Sequence, residues 1–462
     1  MKLTLIGGGG VRTPLLVDGL VRWNEKVKVD ELVLYDTDNE KLKYIGALVL
    51  HLIEQKKAPF KIRFTTDFRS AIKNTDFIYT AIRVGGEESR VIDEWVPLKY
   101  GILGQETTGP GGFAMALRTI PVILEFAKVI EEEAPDAWLV NFTNPSGLIT
   151  EALQKYTKLK VIGICDAPSH MKLGIAKYLK VPSERVYINY FGLNHLGWVN
   201  KILVDGKNVL PHIIKNYREY VKVNKHMAAF SEDFIKNLKM LPNEYLYYYY
   251  YREQAVNNIL NAQQTRGEQI VELNKKLLEA LVKEIDKGNI DGAFDIYGHI
   301  MGERQNSYMS KEIGNVEQME SEQEKVLESE GYAGLAMSII SGILNNEKTV
   351  LILNVQNNGT IPVLNNDDVV EVPCLLDANG PIPLSVGEIP CEISGLLQTV
   401  KAYERYTVKA AVYGSYDDAL MALTIHPLVG STTLAKKILH DYLELHGKLL
   451  PQFSQKHTLA NN

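Results

Sequence analysis

The chain has 462 residues, of which 45% are hydrophobic and 23% charged, with a formal net charge of −6. That length exceeds one ordinary core and suits two or three domains, and the acidic balance offers no footprint for nucleic acid. Three cysteines form no disulfide framework, no apolar run reaches membrane-spanning length, and the N-terminus lacks the layout of a secretory signal, so a reducing cytoplasm is the expected compartment.

The segment Lys2-Leu3-Thr4-Leu5-Ile6 reads as a short strand. Gly7, Gly8, Gly9 and Gly10 follow at once, and Pro14 suits the first turn of a helix, where its missing N–H costs nothing. Strand, glycine turn and helix start make the phosphate-cradling arrangement of a dinucleotide fold. The next strand, residues 31–36, ends in Asp36, placed to take ribose hydroxyls and so to favour NAD over NADP. Arg12 stands where the third glycine of the usual pattern falls, so the fingerprint is imperfect.

Further strands are expected at residues 61–64, 76–82, 138–141 and from Val161, alternating with helical stretches. About 190 residues of such alternation predict a Rossmann-like, doubly wound parallel sheet as a first domain over residues 1–191. Loops after the strand ends carry the chemistry in such sheets. Arg83 to Arg90, Asn141 to Asn144 and Cys165 with Asp166 all fall at strand ends and should meet in one crevice. Between them, four glycines and a proline within residues 104–112 mark a tight loop before a helix. Glu106 in that loop reads equally as a functional carboxylate or a solvated acid.

From about Gly192 the pattern turns to longer helical segments, and residues 192–462 are expected to form a larger α+β domain. His195, between small residues, pairs in type with Cys165: a thiolate and an imidazole are a plausible start of a transition-metal site. The plain alternative is a buried thiol and a hydrogen-bonded scaffold histidine. Five tyrosines run from Tyr247 to Tyr251, a packing or interface surface. Arg252, Arg266 and Arg304 are candidate anion binders, each more often a surface ion pair. Cys374 and Cys391 read as structural. A strand and turn are expected at residues 351–359 and a short strand at 369–373. A late helix should bury Leu434, Ile438, Tyr442, Leu445 and Leu449 on one face. The chain end, from about Ser454, is polar and expected to fray.

Eight motifs, in order, carry a resemblance. They are Ile6-Gly7-Gly8-Gly9; Gly85-Gly86 through Arg90; Pro97-Leu98-Lys99-Tyr100-Gly101; and Gly104-Gln105-Glu106-Thr107 with Gly109-Pro110-Gly111-Gly112. The others are Asn141-Phe142-Thr143-Asn144-Pro145, Cys165-Asp166-Ala167-Pro168, Gly192-Leu193-Asn194-His195 and Pro242-Asn243-Glu244-Tyr245. Together they resemble glycoside hydrolase family 4, the NAD- and manganese-dependent glycosidases, from residue 1 to about 450. Arg118-Thr119-Ile120-Pro121-Val122 and the Asn141 motif look most like its 6-phospho-β-glucosidase branch.

The resemblance implies that Cys165 and His195 hold Mn²⁺ or another divalent metal. It implies that Tyr245 is the base for the C2 proton, that Glu106 increases its basicity and that Asp166 is the proton donor. Arg90, Asn144 and Arg266 would bind substrate. The implied reaction converts a phosphorylated disaccharide or glucoside to glucose 6-phosphate and an aglycone. It runs by NAD-assisted oxidation at C3, C2 deprotonation, elimination, water addition and re-reduction, a departure from two-carboxylate hydrolysis. A phosphotransferase uptake system would deliver the substrate, and a homodimer or homotetramer is expected, with no nucleic-acid or membrane partner. Many β-specific members carry Asn where this chain has Asp166, and Asp is usual in α-specific 6-phosphoglucosidases, so the anomer stays open. A 6-phospho-galactosidase and an NAD-dependent 2-hydroxyacid dehydrogenase, which shares the first domain, are the remaining alternatives.

Overall fold

The computed structural model describes residues 1–314 and 331–454, so the polar chain end lies outside the described residues from position 455 onward. Strands β1 (Lys2–Ile6), β2 (Glu31–Tyr35), β3 (Lys61–Thr65), β4 (Phe77–Thr80), β5 (Trp138–Asn141) and β6 (Lys160–Gly163) lie parallel, in the order β3-β2-β1-β4-β5-β6. This is the strand order of a dinucleotide-binding sheet. β1 sits at its centre because Leu3, Leu5 and Ile6 are buried and Thr4 satisfies its hydroxyl on Ala71 O and Thr75. The order reverses between β1 and β4, and a crevice opens beyond their carboxyl ends.

The second half of the chain begins differently from the expected helices. β7 (Val186–Leu193) and β8 (Leu196–Val204) form an antiparallel hairpin, joined through Asn194 and His195 and extended by β9 (Lys207–Asn208) and β10 (Leu241–Pro242). The hairpin is illegible as alternation because β7 is buried on both faces except at Tyr187, and β8 is buried through Val199. Sheets covered on both sides show continuous apolar runs instead of a period of two.

Late strands β11 (Thr349–Gln356), β12 (Val369–Asp377) and β13 (Gly380–Pro383) join the first sheet antiparallel beyond β6, completing nine strands among the described residues. β12 buries Cys374, whereas Cys391 is exposed at the start of helix Cys391–Tyr413 and supports no core. Helix Thr432–His446 buries Ala435, Ile438, Leu439, Tyr442 and His446; Leu445 points outward at 49% exposure, one position off the expected face. No described helix is long and apolar enough to cross a membrane.

Helices Arg266–Asp286 and Ile290–Asn306 pack on helix Asn39–Lys56 through Leu277, Leu281, Tyr297, Ile45 and Leu48. Tyr297 Oη donates to the Val11 carbonyl at 2.8 Å, tying this layer to the glycine loop. The layer carries Arg266 and Arg304 over the crevice.

Candidate active site

The glycine loop turns sharply because Gly7 takes φ 97 and its N–H, like that of Gly8, donates to Tyr35 O. A Cβ on Gly7 would stand 2.4 Å from the Ala81 carbonyl oxygen, so the loop can hug β4 only with glycine there. Helix Thr13–Val27 starts at once, with a proline in its first turn and no acidic side chain to oppose an anion. Asp36 accepts from Gly9 N at 2.9 Å and from Asp38 N at 3.1 Å, which fixes its carboxylate beside the loop.

One cleft of about 1650 Å³ is lined by Gly7, Gly9, Gly10 and Asp36 at one end and by Arg90, Glu106, Asn144, Cys165, Asp166, His195, Tyr245 and Arg266. The strand-end loops therefore meet, as their positions in the sheet require. Gly8 is buried behind the loop, and a Cβ on it would stand 2.7 Å from that of Leu34.

Cys165 follows β6 and is buried; burial first, then the charges of Glu371 and Asp166, push its thiol well up. Asp166 sits at the N-cap of helix Ala167–Leu179 but makes no side-chain cap, leaving its carboxylate to the cleft. His195 occupies the β7–β8 turn at φ 63, a conformation that few residues other than Gly, Asn or Asp adopt readily. Burial pushes its imidazole down to about 4, against the opposing pull of Asp166 and Glu106, so the ring is neutral. Among the described residues, no cluster of three or more His, Cys, Asp or Glu side chains is placed to hold a metal. A thiolate and a neutral imidazole alone suit a divalent transition metal whose remaining positions belong to substrate or water. The pair fits an open, catalytic type of site.

Tyr245 follows Asn243, whose side chain accepts from Tyr245 N at 3.0 Å and caps the short helical turn Glu244–Leu246. Burial pushes its phenol well up, reinforced by Cys165, while Tyr308 opposes through a hydrogen bond. Glu106 is no solvated loop acid. It pairs with Arg83 at 2.7 Å and Arg90 at 3.0 Å; burial raises its carboxyl, but Arg90 and Arg83 outweigh this and hold it well below the usual range. Arg90 also donates to Glu94 at 2.8 Å.

Asn144 is presented by a turn built on Asn141. Asn141 accepts from Thr80 Oγ1 and Thr143 N and donates to Thr143 O and Thr150 Oγ1. Arg266 lines the cleft while donating to Gln269 Oε1, Ser307 Oγ and the Arg304 carbonyl at 2.6–2.7 Å. Arg252 lies elsewhere, half-exposed and paired with Glu253.

Arg83, expected at this crevice from its place after β4, lines the cleft wall, and so do His170, Glu244 and Tyr308, to which the sequence alone assigns no role. Glu244 stands beside Tyr245 in the Pro242 to Tyr245 motif, whereas His170 and Tyr308 carry no sequence signal and are brought in by tertiary packing.

The model of the family 4 glycosyl hydrolases matches residues 2–181, and that of the family 4 glycosyl hydrolase C-terminal domain matches residues 190–429. This chain belongs to family 4 of the glycosyl hydrolases. As a family 4 glycosyl hydrolase it is 38% identical over 463 residues to the probable 6-phospho-beta-glucosidase of Bacillus subtilis (strain 168), covering 99% of this chain and 98% of that one. The solved 6-phospho-beta glucosidase of Thermotoga maritima with NAD and glucose-6-phosphate matches at TM-score 0.82 and 31% identity, over 97% of this chain and 99% of that one. A 6-phospho-alpha-glucosidase from gut microorganisms in complex with NAD and Mn²⁺ matches at TM-score 0.83 and 27% identity, over 98% and 99%. Backbone similarity to these two structures, one of each anomeric class, is thus nearly the same.

Proposed function

We propose that this family 4 enzyme hydrolyses 6-phospho-β-glucosides to glucose 6-phosphate and the aglycone, using NAD and a divalent metal such as Mn²⁺. The carrying observation is that one cleft holds the glycine loop with Asp36, the Cys165–His195 pair and Tyr245. The dehydrogenase alternative does not account for family 4 membership over both parts of the chain.

When bound, the nicotinamide supplies reversible oxidation at the sugar C3, and the metal supplies Lewis-acid polarisation of the neighbouring sugar oxygens. Gly7 to Gly10 and the following helix N-terminus seat the cofactor's pyrophosphate, and Asp36 accepts from its ribose. Cys165 Sγ and His195 Nε2 hold the metal. Tyr245 Oη, as the phenolate once the metal and NAD⁺ charges offset its burial, would take the proton from C2, with the negative charge of Glu106 adding to its basicity. Asp166 gives a proton to the leaving-group oxygen. Arg90, Asn144 and Arg266 bind the sugar and its phosphate. In this reading residues 1–191 serve the dinucleotide and residues 192–462 contribute His195, Tyr245 and Arg266. We place the enzyme in the cytoplasm, which three free cysteines support, and expect a homodimer or homotetramer.

Asp166 favours one second reading, the α-anomer, since it departs from the Asn of many β-specific members. The deciding experiment compares p-nitrophenyl 6-phospho-β- and α-glucosides with NAD⁺ and Mn²⁺ supplied. Turnover of the β-anomer is expected; turnover of the α-anomer alone assigns the enzyme to the other class.

A further inference from the structure

The loop before helix Pro110–Glu133 ends in a hydrogen-bond chain that reaches His195. Gln105 is buried, and its Oε1 accepts the backbone N–H groups of Thr107 and Thr108, both at 2.7 Å. Two backbone donors on one atom fix the orientation of this amide, because the NH₂ end cannot accept them. Thr107 Oγ1 lies 3.1 Å from the same Oε1 and 2.9 Å from His195 Nδ1. A hydroxyl has one proton. Spent on Gln105, it leaves the Thr107 oxygen to accept, and His195 Nδ1 must then be the protonated nitrogen. The lone pair of the neutral ring is left on Nε2.

The loop is held rigidly in this shape. A Cβ on Gly111 would stand 2.1 Å from the Gln105 carbonyl oxygen, and one on Gly112 would stand 2.2 Å from that of Thr107. Both carbonyls fold onto the helix start only because these positions are glycine. The Gly104 to Gly112 motif therefore builds a bracket for one hydroxyl, in addition to presenting Glu106.

We propose that Thr107 is a positioning residue for the metal site, fixing the Nδ1–H tautomer and ring orientation of His195 so that Nε2 is the ligand, with Gln105 fixing Thr107 in turn. This rests on the metal reading above. A ligating imidazole commonly donates its other N–H to such a partner, and losing the partner typically weakens metal binding about 10- to 100-fold.

The test is Mn²⁺ titration calorimetry on the full chain, without substrate, for wild type, Thr107→Val and Thr107→Ser, with NAD⁺ binding as a control for folding. Thr107→Val, which keeps the shape and removes the hydroxyl, should weaken Mn²⁺ binding by about 10- to 100-fold. Thr107→Ser should restore it, and NAD⁺ affinity should stay unchanged in both. Equal Mn²⁺ affinity in wild type and Thr107→Val overturns the positioning role while leaving the metal site standing. A serine variant as weak as the valine one also overturns it. Absence of Mn²⁺ binding by wild type sinks the metal reading and this inference together. Nitrogen-15 shifts of His195 in the metal-free wild type decide independently of any variant: a proton on Nδ1 is expected, and a proton on Nε2 overturns the proposal.

Discussion

The imidazole of His195 lies flat on the phenol ring of Tyr245, with centroids 3.6 Å apart and planes 4° from parallel. The hairpin turn supplies one ring and the Asn243-capped turn the other, so two parts of the second half of the chain fix the proposed metal ligand and the proposed base against each other. Tyr245→Phe keeps the stack and removes only the hydroxyl. We expect kcat to fall by about 10²- to 10⁴-fold, the usual worth of a positioned base, with Mn²⁺ affinity near wild type. Steady-state rates alongside a Mn²⁺ titration check this; an unchanged kcat sinks the assignment of Tyr245.

Cys165→Ser and His195→Asn should each abolish metal-dependent hydrolysis and leave NAD⁺ binding nearly intact. The proposed ligands and the glycine loop belong to different strand ends, and Asn tolerates the φ of 63 that His195 adopts. Fluorescence titration with NAD⁺ and rates with and without a chelator separate the two effects. Metal-dependent turnover retained by either variant means that the metal is held elsewhere, and normal turnover after chelation means that no metal is needed.

Arg266→Ala should lower kcat/KM for a 6-phosphorylated glucoside by roughly 10- to 100-fold. Losing a hydrogen bond to a charged group costs about 1.5–3 kcal/mol, at about tenfold per 1.4 kcal/mol. The same guanidinium also ties Gln269, Ser307 and the Arg304 carbonyl together. The unphosphorylated analogue is therefore the necessary control. An equal loss on both substrates identifies Arg266 as a structural tie.

The first sheet was legible because its strands are short apolar runs punctuated by glycine, asparagine and acidic residues at their carboxyl ends. The cleft was legible for the same reason, since Asp36, Asn144 and Cys165 follow directly from strand ends. The β7–β8 hairpin was not, because burial on both faces erases the alternation that marks a strand. Nor was β11–β13 joining the first sheet, which depends on contacts across some two hundred residues. Glu106 was undecidable from its loop, since its character comes from Arg83 and Arg90, two residues brought to it by tertiary packing.

A pH effect follows from His426. It is fully buried, its Nδ1 accepts from Leu428 N at 3.1 Å, and burial pushes its imidazole down to about 3. An unfolded histidine takes its proton near 6.5. Between those values the unfolded chain binds more protons, so stability falls as pH falls, by about 2 kcal/mol at pH 5 from this residue. Denaturant unfolding of wild type and His426→Gln from pH 7 to pH 5 should show a shallower loss in the variant. Parallel curves would mean that His426 does not contribute this slope.

In the proposed reaction NAD assists hydrolysis and is regenerated within each turnover. The direct measurement follows p-nitrophenol release from the 6-phospho-β-glucoside and the absorbance of reduced nicotinamide in the same cuvette, with NAD⁺ and Mn²⁺ present. Steady release that requires NAD⁺, with no net rise in reduced cofactor, is the predicted result. Reduced nicotinamide accumulating in step with product, or release at full rate after removal of all NAD⁺, would contradict it.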